Sequence, residues 1–225
     1  MNYTQKTFNK LFDHTLLKPD ATIDKMRTHC MVAAENGFCT VAVNGGRVKE
    51  CAEILHDYDV KVDSSSGFPL GAMSIAAKAE ETRLAIIDGA DEVDYVINIG
   101  KLKEGKIEYI REEMKTIVSI CREKDVISKV IFENCYLTDD EKKALCEVAL
   151  DVMPDFIKTS TGFGTGGATV EDVRLMKSMV GDKIKVKAAG GIRDLETCLA
   201  MLEAGAERIG TSAGVAIAEA FAKTL

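Results

Sequence analysis

Histidine is scarce in this chain of 225 residues, and the three that occur, His14, His29 and His56, form no HxxxH, HxH or HH cluster. A metal ion that polarises a carbonyl needs convergent histidines or carboxylates, so a metal-dependent mechanism is not expected. No G-x-G-x-x-G stands in the dinucleotide arrangement after a strand, and there is no P-loop and no G-x-S-x-G. No C-x-x-C pair occurs among the seven cysteines, whose number is odd. They lie in apolar segments and read as small core residues of a reducing compartment, with the cytoplasm as the expected location. No run approaches about 18 apolar residues, so no membrane span is expected. The opening stretch MNYTQKTFNKLFDHT is too polar for a signal peptide. A net charge of −7, with no lysine or arginine cluster, argues against nucleic acid.

What is present is a repeated rhythm. β-rich runs at 11–14, 39–43, 60–64, 92–97, 126–132, 155–158, 184–188 and 207–210 alternate with amphipathic stretches at 22–36, 46–57, 72–87, 106–123, 139–150, 169–180, 194–204 and 212–223. Thr138 with Glu141 has the form of a capping box, and Thr169 with Asp172 a weaker one. Gly37, Gly89 and Gly205 each close a helix before a strand. Eight such units predict a single α/β domain over 1–225, a (β/α)8 TIM barrel. An open doubly wound sheet would need strands apolar on both faces. Here charges recur with period two, at Glu92 and Asp94, Lys129 and Glu133, and Lys185 and Lys187. They mark one face, which in a barrel is the interior.

Two lysines end apolar runs and precede glycine-rich turns: Lys158 in DFIKTSTG and Lys187 in IKVKAAGG. An isolated lysine titrates near 10.4, so only about 0.04% is neutral at pH 7. Two ammonium groups about 5 Å apart, the spacing of neighbouring strands, repel by about 3 kcal/mol at an effective dielectric of about 20. Desolvation adds to that, so either lysine can become an amine nucleophile beside the other. Lys185 shares the parity of Lys187 but lies deeper, away from the carboxyl end where barrel chemistry sits. The competing reading pairs the lysines with Asp94 or Glu133 as buried ion pairs. Asp94, at mid-strand, is placed to shuttle protons with Lys187 through a water, with Asp13 and Lys129 in support. Gly162, Gly190, Gly191, Gly210 and Ser212 follow three successive strands and form a candidate phosphate cradle.

The segments DHTLLKP (13–19), GFPLGA (67–72), GADEVDYVINIGKLK (89–103), KVIFENCYLT (129–138), DFIKTSTGFGTGGAT (155–169), VKAAGGIR (186–193) and RIGTSAGVAI (208–217) together resemble the deoxyribose-phosphate aldolases, in order along nearly the whole chain. The resemblance implies a class I aldolase that works without metal or other cofactor. Its substrates would be small phosphosugars and aldehydes: 2-deoxy-D-ribose 5-phosphate, cleaved reversibly to D-glyceraldehyde 3-phosphate and acetaldehyde. It also implies Lys158 as the Schiff-base residue, Lys187 as the neighbouring ammonium and Asp94 as its proton-transfer partner. Homodimer and homotetramer both stay open. The chain departs from the family in three places. Ala42-Val43-Asn44-Gly45 replaces the usual Cys-Val-Asn-Pro, Ser64-Ser65-Ser66 is unusually polar, and residues 221–225 lack the tyrosine that some members carry at their end. A phosphosugar isomerase or epimerase, and a non-catalytic phosphosugar-binding barrel, are the competing functional readings.

Overall fold

The computed structural model describes residues 3–225. Eight parallel strands close in sequence order: β1 (Phe12–Leu16), β2 (Thr40–Asn44), β3 (Lys61–Ser66), β4 (Glu92–Val96), β5 (Ile127–Ile131), β6 (Phe156–Lys158), β7 (Lys185–Ala189) and β8 (Arg208–Thr211). β8 returns to β1, pairing Asp13 with Gly210, so no sheet edge is left open. The expected barrel is therefore formed, and each strand lies within two residues of its expected bounds at either end.

Among the described residues, ten α-helices accompany the strands: α1 (Gln5–Asn9), α2 (Ile23–Asn36), α3 (Val48–Leu55), α4 (Ile75–Ile87), α5 (Ile99–Lys103), α6 (Ile107–Glu123), α7 (Asp139–Val152), α8 (Val170–Val180), α9 (Leu195–Glu203) and α10 (Gly214–Ala222). Seven of them start at a Thr, Ser, Asn or Asp whose side chain accepts from a backbone N–H three residues on, while α3, α6 and α10 have no side-chain cap. The Thr138 hydroxyl accepts from Glu141 N while the Glu141 carboxylate accepts from Thr138 N, a full capping box on α7. Thr169 accepts from Asp172 N with no reciprocal bond, so α8 has only half of that motif. The short helices α1 and α5 were not expected. Five residues make little more than one turn, too few for an apolar period to show. α1 is held by packing: Phe8 stacks on Phe221 at 3.9 Å between ring centroids and meets Phe12 edge-on at 5.3 Å.

Strand alternation divides the core in two. Val41, Val43, Val93, Tyr95, Val130, Ile157, Val186, Ala188 and Ile209 are fully covered members of the apolar layer beneath the helices. The alternate positions, Asp13, Asp63, Glu92, Asp94, Lys129, Lys158, Lys187 and Arg208, are buried charges inside the barrel. Burying ions costs several kcal/mol each unless they are paired, so this interior holds only as a mutually compensated set.

Candidate active site

The strand register aligns the charges before any side chain is considered. Asp94 on β4 faces Lys129 on β5, Lys158 on β6 faces Lys187 on β7, and Lys187 faces Arg208 on β8. The side chains then converge on Asp94. Its Oδ2 accepts from Lys158 Nζ at 2.6 Å and from Lys187 Nζ at 2.7 Å, and its Oδ1 lies 2.8 Å from Lys129 Nζ. Both lysines of the pair thus bind one carboxylate oxygen directly, where the sequence reading placed a water. Lys187 also reaches Asp13 at 2.5 Å and Asp63 at 2.9 Å. Arg208 bridges Asp13 and Glu92, and Lys129 bridges Asp63 and Glu92.

This arrangement splits the two lysines. Burial pushes the Lys158 ammonium down from its ordinary value; Asp94 opposes that, and Lys187 adds to it. Lys187 is equally buried, but Asp13, Asp63 and Asp94 more than offset the desolvation and hold its ammonium up. Lys158 has one carboxylate partner and Lys187 has three, so the Lys158 ammonium is the more easily neutralised of the two. Asp94 feels burial in the opposite sense, yet Lys129, Lys158 and Lys187 hold it well below the usual carboxylate range. Burial and the neighbouring Asp94 charge raise Asp63 to about 6. Lys185 is exposed at the amino-terminal end of β7, with its ammonium 5.5 Å from the Phe156 ring, and takes no part in the cluster.

Among the described residues, Glu133 pairs with no lysine. Its backbone is left-handed, and its carboxylate accepts from Thr161 N at 3.1 Å and from the Thr161 hydroxyl. Thr161 Oγ1 in turn accepts from Phe163 N at 3.0 Å, so Glu133 fixes the loop leaving β6. The expected ion pair is replaced by a loop anchor.

Above Lys158 lies a cavity of about 370 Å³. Gly162, Gly190, Gly191, Gly210 and Ser212 all line it, as expected of a cradle, but the glycines serve different ends. Gly190 is left-handed, and a Cβ on it would sit 3.0 Å from Gly167 Cα and 3.4 Å from Gly162 Cα; a Cβ on Gly167 would sit 2.2 Å from Gly190 O. That part is a close approach of two backbones. Gly210 gives room to the cluster, since a Cβ there would lie 3.2 Å from Lys187 Cε and 3.0 Å from Ala189 Cβ. Gly191 is also left-handed, and a Cβ on it would point into open space.

Asp63 and Arg208 were missed in the sequence. Asp63 has the inward parity of β3, and the polar run beside it is buried strand end: Ser64, Ser65 and Ser66 are covered, and Ser66 Oγ meets Glu81 and Thr82. The departure at 42–45 also has a task. Ala42 is buried in β2, Asn44 Nδ2 donates to Leu17 O at 3.1 Å, and Arg47 donates to Ala21 O at 3.1 Å, so this segment braces the loop after β1. Oxygens of Asp13, Asp63 and Glu92 lie within 4.8 Å of one another, but Lys129, Lys187 and Arg208 already occupy the space among them.

The chain can now be set beside known proteins. A family model described as DeoC/LacD family aldolase matches residues 7–220. A deoxyribose-phosphate aldolase from Lactobacillus acidophilus is 54% identical over 220 residues, covering 98% of this chain and 93% of that protein. One from Thermococcus gammatolerans is 54% identical over 212 residues, covering 93% and 94%. Among solved structures, an aldolase designated QR15 superposes with a TM-score of 0.91 at 42% identity, covering 96% of each chain. The tetrameric deoxyribose phosphate aldolase of Aeropyrum pernix gives a TM-score of 0.91 at 28% identity, covering 99% of this chain and 94% of that one. With half of its positions shared across nearly full length, the chain belongs to the DeoC/LacD aldolase family.

Proposed function

We propose that this protein cleaves 2-deoxy-D-ribose 5-phosphate reversibly to D-glyceraldehyde 3-phosphate and acetaldehyde through a Schiff base on Lys158. The supporting observation is the asymmetry of the lysines around Asp94 Oδ2: one ammonium is pushed down and the other held up. The open-chain aldehyde enters from the cavity, and the neutral Lys158 amine adds to its carbonyl carbon. Loss of water from the carbinolamine gives an iminium. As the adjacent hydroxyl gives up its proton, the carbon–carbon bond breaks, its electrons flow to the iminium nitrogen, and glyceraldehyde 3-phosphate departs. The enamine is protonated at carbon, and water releases acetaldehyde. Asp94 and Lys187 form the proton relay, Asp94 as acceptor and Lys187 as the cation that keeps it ionised. Phosphate binding at the loops after β6, β7 and β8 holds the reacting carbon over Lys158.

An isomerase or epimerase would need only a carboxylate base and would leave Lys158 without a task. Borohydride reduction with acetaldehyde separates the two. The adduct mass is expected on the peptide containing Lys158; mass on Lys187 or Lys185, or none at all, overturns the assignment. The seven cysteines are all free, which supports a reducing, cytoplasmic setting. No helix of the described residues is long and apolar enough to cross a membrane. Self-association as a homodimer or homotetramer belongs to the same reading and is decided by sedimentation.

A further inference from the structure

The cavity above Lys158 has an unusual electrostatic character for this chain. The protein carries a net charge of −7, yet among the described residues no aspartate or glutamate lines the cavity, while Lys18, Lys158 and Arg193 do. Lys158 belongs to the interior cluster. Lys18 and Arg193 stand on the loops after β1 and β7, the two strands that flank β8 in the closed barrel. They therefore face the end of β8, where Ser212 opens onto the cavity, from opposite sides.

Neither cation is neutralised by its neighbours. Asp20, two residues from Lys18, pairs with Lys25 at 3.5 Å. Asp194, next to Arg193, is turned to cap α9 through Thr197 N at 2.8 Å. Among the described residues, no carboxylate lies within ion-pair distance of Lys18 or Arg193. The backbone at Lys18, by contrast, is firmly set. Ala21 N donates to Lys18 O at 3.1 Å across a turn with Pro19 at its second position, a place that suits the fixed φ of proline. Asn44 and Arg47 hold the carbonyls of Leu17 and Ala21 on either side. The loop is pinned at three points, and the ammonium is left free.

Resting on the proposed aldolase reading, we infer that Lys18 is a substrate-binding residue: it supplies charge to the phosphate of the phosphosugar from the β1 side, opposite Arg193, and sets the preference for phosphorylated over unphosphorylated substrate. The backbone N–H groups of the glycine turns offer only partial charges to a phosphate that is close to a dianion at pH 7. A full cation on each flank completes the site. It also draws an anionic substrate into an acidic protein.

The experiment compares Lys18→Met, Lys18→Arg and Lys18→Glu. Steady-state cleavage of deoxyribose 5-phosphate and of deoxyribose is measured for each, with the thermal shift produced by inorganic phosphate at low salt. In Lys18→Met the ratio of kcat/KM for the two substrates is expected to fall about ten- to a hundredfold, the range of one charge-assisted hydrogen bond. Lys18→Arg keeps most of the ratio, and Lys18→Glu falls below Lys18→Met. Phosphate stabilises the wild type more than Lys18→Met. An unchanged ratio, or an equal fall on both substrates, overturns the inference. If acetaldehyde is not trapped on Lys158 of the wild type, the aldolase reading fails; the phosphate shift still decides Lys18, which stands as an anion site if the shift is lost in Lys18→Met and falls if it is not.

Discussion

At the scale of single residues, the chemistry depends on keeping two similar side chains different. Lys158 and Lys187 share Asp94 Oδ2, and only the number of further carboxylates separates them. Replacing Lys187 with Met removes the repelling cation and leaves Asp94 to Lys158 and Lys129. Both changes raise the Lys158 pKa, so the acidic limb of the rate profile is expected to move to higher pH, with activity at pH 7 down by at least tenfold; an active variant with an unshifted limb rejects the electrostatic role. Gly210→Ala tests the room around Lys187. The new methyl must displace either Lys187 Cε or Ala189, so kcat should fall severalfold while KM moves little. An equal change in KM would place the role of Gly210 with the phosphate instead. The lysine pair, Asp94 and the glycine turns stood out in the chain because the lysines and Asp94 share the inward parity of their strands and the glycines follow strand ends. Asp63 and Arg208 were not legible. Asp63 meets Lys187 across 124 positions and Arg208 meets Asp13 across 195, contacts made only when the barrel closes.

At the scale of elements, the alternation of strand and helix gave the architecture, and the capping residues Thr138 and Thr169 gave the starts of α7 and α8. What it could not show is how the elements are fastened. β1 and α2 meet through two stacked imidazoles, His14 and His29, with centroids 4.0 Å apart and His29 Nε2 3.1 Å from His14 O. Burial pushes His14 down to about 3, with His29 adding to the effect, and burial pushes His29 down to about 4. The unfolded imidazoles, near 6.5, bind protons that the folded pair refuses, so stability from this pair is complete above about pH 6.5 and is lost as pH falls towards 4 and 3. The loss at pH 5 is about 2–4 kcal/mol for the two together. Thermal unfolding at pH 7 and pH 5 checks this: Tm should drop in the wild type, and the drop should shrink in His29→Leu. An identical drop in both assigns it to other groups.

At the scale of the whole molecule, the barrel lumen is a polar core within an apolar shell. Asp13, Asp63, Glu92 and Asp94 are matched by Lys129, Lys158, Lys187 and Arg208, with ion-pair distances between 2.5 and 3.1 Å linking all eight. The carboxylates that could hold a divalent ion are saturated by these cations, so EDTA should leave activity intact; a loss restored by added metal would contradict the proposed chemistry. The sequence showed that charges face inward. It did not show that they are equal in number, because that count needs every strand to be in register.

The equal count has a bearing on the reaction cycle. When Lys158 becomes a free amine the lumen holds four anions and three cations, and one negative charge has no counterpart. In the proposed cycle, formation of the protonated iminium returns a positive charge to the same place. The protonated intermediate, and not the amine form that attacks, is then the electroneutral state of the barrel, and the unmatched carboxylate charge left by the amine form favours the iminium.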